Sequence, residues 1–115
     1  KTGGLGMEQV VEMFIEKQRQ RLADGKIRQE EYEAFLDGIN DALSFLGMHY
    51  VNSSETVEHD ARKAATFNEI EEKYKKFREV AMYKNSFLRV SDIIKHSGQM
   101  TDELQKITKT VKEEL

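Results

Sequence analysis

Residues Gln29 to Met48 read QEEYEAFLDGINDALSFLGM, and the spacing inside this stretch decides the fold class. At 3.6 residues per turn Tyr32, Phe35, Leu36, Ile39, Leu43 and Leu46 fall on one stripe, while Glu33, Asp37, Asn40, Asp41 and Ser44 fall on the other side. The stretch is therefore expected to form an amphipathic helix. Ala34, Gly38 and Ala42 repeat at four-residue spacing beside the apolar stripe. A helix of this kind offers an apolar stripe to one neighbour and a low-relief strip to another, which suits the centre of a helical bundle.

Working outward, the residues on the N-terminal side keep the same period. Met7, Val10, Val11, Phe14, Ile15, Gln18 and Leu22 predict a helix from about Met7 to Leu22, with Glu8 and Glu12 near its positive end and Lys17, Arg19 and Arg21 near its negative end. Ala23-Asp24-Gly25-Lys26 stops it, Gly25 taking the left-handed conformation that closes a helix. The short connection predicts an antiparallel helical hairpin. On the C-terminal side, Asn52 and Glu55 are spaced as a capping box, and nothing from Ser53 to Tyr83 breaks a helix. The apolar phase does change, from Val57, Ala61 and Ala64 to Phe67, Ile70, Tyr74, Phe77 and Ala81, and Thr66 with Glu69 forms a second capping box at the seam. One continuous helix of some thirty residues is the favoured reading, a kink near Thr66 the alternative. Asn85 or Ser86 is expected to cap a short helix carrying Phe87, Leu88, Val90, Ile93 and Ile94, which ends at Ser97-Gly98. Thr101 then caps a last helix with the narrow stripe Leu104, Ile107, Val111 and Leu115.

The expected fold is all-α: a four- or five-helix bundle built on the helical hairpin, with one long central helix. The composition agrees, because 115 residues with no proline and many helix formers make one domain of ordinary size, here residues 7–115. Lys1 to Gly6 (KTGGLG) is set aside as a remnant or linker. Its lack of an apolar core gives no signal peptide, and apolar runs of two or three residues give no membrane span. Cysteine is absent, which removes disulfides, thiolate catalysis and cysteine-ligated zinc. The default location is cytoplasmic.

Net charge is −3, but its distribution is uneven. Lys1 to Asp60 holds twelve acidic and six basic residues, whereas Ala61 to His96 holds nine basic and five acidic. Such asymmetry signals either an acidic partner or, as favoured here, two halves that complement each other within one chain or between two copies.

Motifs that carry chemistry are scarce. Asp24-Gly25-Lys26-Ile27 with Glu31 resembles the second half of an EF-hand loop, yet the first two ligand positions would be Gln20 and Leu22, which supply no carboxylate. His49, His59 and His96 fit neither HExxH nor the Glu-x-x-His spacing of carboxylate di-metal bundles. Glu55 and His59, one helical turn apart, predict a surface ion pair. The segment around His59 invites comparison with histidine phosphotransfer domains, with Arg62 in the basic position, but Lys63 stands where a small residue is needed. In Lys73-Tyr74-Lys75-Lys76-Phe77-Arg78 cations alternate with aromatics, although Tyr74 and Phe77 share the apolar face with Ile70.

No catalytic, cofactor-binding or metal-binding residue is assigned. The expected function is a non-enzymatic protein–protein interaction or regulatory domain that self-associates as a dimer. Its expected interaction surface comprises Lys73, Lys76, Arg78, Lys84 and Arg89 with the stripe Leu104, Ile107 and Val111. Partners would be another protein or a second copy, with no membrane. The first alternative is a nucleic-acid-associated regulator using Arg62 to Arg89, the second a small-molecule sensor or enzyme with a pocket between helices.

Overall fold

The computed structural model describes residues 6–114. Lys1 to Leu5, most of the expected linker, and Leu115 of the last apolar stripe lie outside the described residues. The protein is predominantly helical, with five α-helices and one two-stranded sheet among the described residues. Helix α1 runs Met7–Ala23 and α2 runs Gln29–Ser44; strands β1 (Met48–Val51) and β2 (Thr56–His59) follow. A single 3-10 turn, Ala61–Lys63, leads to α3 (Phe67–Phe77), α4 (Ala81–His96) and α5 (Asp102–Glu113).

The first two helices match their sequence signals. Gly25 has φ +73°, and its N–H donates to the Leu22 carbonyl at 3.1 Å to close α1. The Arg28 N–H donates to Glu31 Oε1 at 2.8 Å, occupying a backbone donor at the start of α2 that the helix itself cannot. Phe14 of α1 meets Phe35 of α2 edge to face, ring centroids 5.1 Å apart.

The long central helix expected over residues 53–83 does not form, and a small two-stranded sheet accompanies the helices of the expected all-α fold. Met48 and Tyr50 are buried while His49 and Val51 are less so, a period of two that defines a half-buried strand. Tyr50 pairs with Val57 across the antiparallel ladder and both face the core. Asn52, Ser53, Ser54 and Glu55 form the hairpin turn, with Glu55 at φ +58°, so the expected capping box is turn chemistry instead. At the base of the hairpin, the Asp60 N–H donates to the Gly47 carbonyl at 2.6 Å. Gly47 sits at φ +69°, where a Cβ would lie 2.8 Å from the Asp60 carbonyl oxygen, so backbone passes where a side chain would stand.

The seam at Thr66 is a true helix start. Thr66 Oγ1 accepts from the Glu69 N–H at 3.3 Å, and Glu69 Oε1 accepts from the Thr66 N–H at 3.3 Å. Helix α3 ends at Phe77, and the chain breaks before Ala81 rather than at Asn85, with no side-chain cap on α4. The break lets Phe77 and Tyr83 stack at 4.8 Å. On one straight helix those residues, six apart, would point about 120° away from each other.

Helix α4 occupies the middle of the structure. Its Tyr83, Phe87, Val90 and Ile94 are fully buried, α2 packs along it most extensively, and α1 and α5 flank it. The expected low-relief strip is used here: a Cβ on Gly38 would run into Ser86 Oγ and the Tyr83 carbonyl oxygen and lie 3.1 Å from the Phe87 nitrogen. Ser86 is therefore not a cap. It lies buried at this crossing, and its hydroxyl donates to the Phe35 carbonyl at 2.8 Å.

Candidate functional site

The expected interaction residues do not form one surface. Leu104, Ile107 and Val111 are each 0% exposed, because α5 lays its stripe against α4 and α3 of the same chain. They are core residues and cannot belong to the expected interaction surface. Lys73 reaches across from α3, and its Nζ donates to Asp41 Oδ1 at 2.6 Å. Arg78 pairs with Glu114 at 2.8 Å. Arg89 lies 5.8 Å above the Phe14 ring. Lys76 is exposed on α3, and Lys84 is half-buried on α4. Tyr74 is buried beside them, and its hydroxyl donates to Glu114 Oε1 at 2.8 Å. Burial and then that carboxylate push the Tyr74 hydroxyl up to about 12.

Asp41, expected on the polar side of α2, is 1% exposed. One carboxylate oxygen takes Lys73, and the other accepts from the Tyr83 hydroxyl at 2.5 Å, so α2, α3 and α4 meet on one carboxylate. Burial, then the Asp41 charge, raises the Tyr83 pKa far above the ordinary phenol range. One turn before it, loss of hydration and then Asp41 raise the pKa of Asp37. The cluster is a structural knot, with both Asp41 oxygens satisfied within the protein.

The expected Glu55 to His59 ion pair is replaced by two others, because the hairpin turns these residues apart. His59 pairs with Glu8 at 3.0 Å and Glu55 with Arg19 at 3.0 Å, tying the hairpin to α1. His59 therefore sits on a strand, not on the helix that a phosphotransfer histidine requires. Among the described residues no group of three or more His, Cys, Asp or Glu could hold a metal ion, and no helix is long and apolar enough to cross a membrane.

Two other faces remain. The first is a groove of about 640 Å³ along α4 and α5, lined by Lys95, Met100, Gln105, Thr108, Lys109, Lys112 and Glu113. Thr108 anchors its wall, donating to Ser91 Oγ of α4 at 3.1 Å. A smaller hollow of about 310 Å³ continues it past Lys95 and Met100 to Leu88 and Arg89. Lys95, Lys109 and Lys112 have no carboxylate partner among the described ion pairs, and three lysines against Glu113 leave the groove with net charge +2. Their aliphatic stems and Met100 supply apolar walls beneath charged rims.

The second face is a cleft of about 350 Å³ between α1 and the hairpin, lined by Gln9, Glu12, Met13, Glu16, Arg19, Tyr50 and Glu55. Three glutamates against Arg19 give it net charge −2. Glu12 holds the hairpin by accepting from the Val57 N–H at 2.7 Å, and Arg19 bridges Glu16 and Glu55. On its rim Met13 is 59% exposed, and among the described residues it is the one large hydrophobic side chain left in solvent. Sequence reasoning missed both faces. Lys109 and Lys112 are spaced three apart, outside the apolar stripe of their helix, which was the available signal for the groove.

Comparison of the chain with protein-family models, with curated proteins and with solved structures finds no match.

Proposed function

We propose that this chain is a non-catalytic, cytoplasmic protein-interaction domain, a five-helix bundle around α4 whose docking surface is the groove between α4 and α5. The observation that carries this reading is the row Lys95, Lys109 and Lys112, cations without carboxylate partners among the described residues, along the rim of an open groove floored by Met100 and Thr108. Charges arranged so steer and orient an oppositely charged partner, while the apolar floor supplies contact area. The partner is an acidic amphipathic segment of a protein. The test is fluorescence anisotropy with a labelled helical peptide carrying glutamates on one face and methionine and leucine on the other. Binding at low salt that weakens as salt rises is expected, lost in Lys109→Glu/Lys112→Glu and kept in Lys75→Glu/Lys76→Glu. Absence of binding, or equal binding by both variants, overturns the reading. Binding of a DNA duplex that is lost in Lys75→Glu/Lys76→Glu would instead favour the nucleic-acid alternative over Arg62 to Arg89.

A further inference from the structure

The basic groove and the acidic cleft are built from different elements of one chain and share no residue. Resting on the docking surface proposed above, we propose that its occupant is a second copy of this chain, which presents the outer face of α1 with Met13 as the apolar anchor. Three observations support this choice. Charge is complementary, +2 around the groove and −2 around the cleft, so two copies neutralise each other where the faces meet. Met13, the exposed large hydrophobic, stands within the acidic face, and the groove has an apolar floor of Met100 and lysine stems to receive it. The polypeptide on the acidic side is also already ordered. Glu12 and Arg19 fix α1 to the hairpin, so Gln9, Met13 and Glu16 project from a rigid helix and lose little freedom on docking.

The contact is heterologous, one patch against a different patch. It either joins two copies reciprocally or extends into larger assemblies, and in both cases each copy needs both faces. This supplies the test. Gln9→Lys/Glu16→Lys turns the α1 face basic, and Lys109→Glu/Lys112→Glu turns the groove acidic; all four positions are exposed. Sedimentation velocity at low salt is expected to show wild-type mass rising with concentration above the 13.4 kDa of one chain. Each variant alone is expected to remain at one chain's mass. Mixed in equal amounts, the two variants are expected to assemble, because every face then meets its opposite. Met13→Ser is expected to weaken wild-type assembly at least tenfold without changing the helical circular dichroism.

Wild-type protein that stays at one chain's mass at hundreds of micromolar overturns the proposal. So does assembly of either variant alone as strong as that of the wild type. Failure of the mixture overturns it too, once circular dichroism shows both variants folded. If the wild type stays monomeric yet binds the acidic peptide, the docking surface stands and only the second copy is excluded. If it neither assembles nor binds the peptide, both readings fail.

Discussion

Replacing Gly38 by alanine isolates the contact between the two most extensively paired helices. Helix propensity alone favours the change by about 1 kcal/mol, since alanine is the best helix former and glycine among the worst. Packing opposes it. The new methyl would fall well inside van der Waals contact of Ser86 Oγ and the Tyr83 carbonyl oxygen, and the second of these is backbone that cannot rotate away. Helices α2 and α4 would have to separate, an overpacking cost of about 1–3 kcal/mol. Displacing Ser86 also weakens its hydroxyl bond to the Phe35 carbonyl, about 1 kcal/mol more. The net expectation is a destabilisation of about 1–3 kcal/mol. In urea, with an m-value of roughly 1.5 kcal/mol/M for a chain of this size, the midpoint should fall by about 0.7–2 M. Adding Ser86→Ala should recover only part of the loss, because the Tyr83 carbonyl remains in the way. An unchanged or higher midpoint for Gly38→Ala, at constant m, would refute the close approach of α2 and α4.

Three further substitutions probe polar groups of α2 and α4. Asp37 has its pKa raised in the folded state, so its contribution to stability is fully present below the unfolded value and is lost as pH rises through the raised folded value. Asp37→Asn should therefore raise the urea midpoint at pH 7 and leave it unchanged at pH 3; an equal shift at both pH values would contradict the assignment. Tyr83→Phe removes one of the two hydrogen-bond donors to the buried Asp41 carboxylate and should cost about 1.5–3 kcal/mol in the same assay, whereas a neutral result would mean that the carboxylate is solvated. The buried Tyr32 hydroxyl has no hydrogen-bond partner among the described residues, so Tyr32→Phe should be neutral or stabilising by up to about 1–3 kcal/mol. A clear loss of stability on thermal unfolding would show that the hydroxyl is satisfied.

What could be read from the sequence followed helical period and caps, and what could not depended on tertiary partners. Helices α1, α2 and α5 carry both an apolar stripe and end signals, and their bounds fall within a few residues of those signals. The hairpin was missed because Val57, Ala61 and Ala64 also fit a helical period, and Asn52 with Glu55 fits both a capping box and a turn. Only Tyr50 opposite Val57, a pair set by the fold, separates the two readings. Asp41 was placed on the polar side of α2 because helical period sets it opposite the apolar stripe. Its burial requires Lys73 and Tyr83, which lie 32 and 42 residues further on.

The charge division was visible from the start, and its resolution explains where the candidate faces lie. Lys73 with Asp41 is the single long-range ion pair joining the basic middle to the acidic first half among the described residues. The other cations of the middle segment that form ion pairs turn to neighbours or to the C-terminal end: Arg62 to Asp60, Lys75 to Glu72 and Arg78 to Glu114. Glutamates of α1 are spent on the hairpin, Glu8 on His59 and Glu12 on the Val57 N–H, and the rest of that face keeps its negative charge. Helix α5, in burying Leu104, Ile107 and Val111 within the chain, turns Lys109 and Lys112 outward. The same packing that buries these three residues thus creates the basic rim opposite them. The proposed self-association follows from charge left over after folding and not from unburied core.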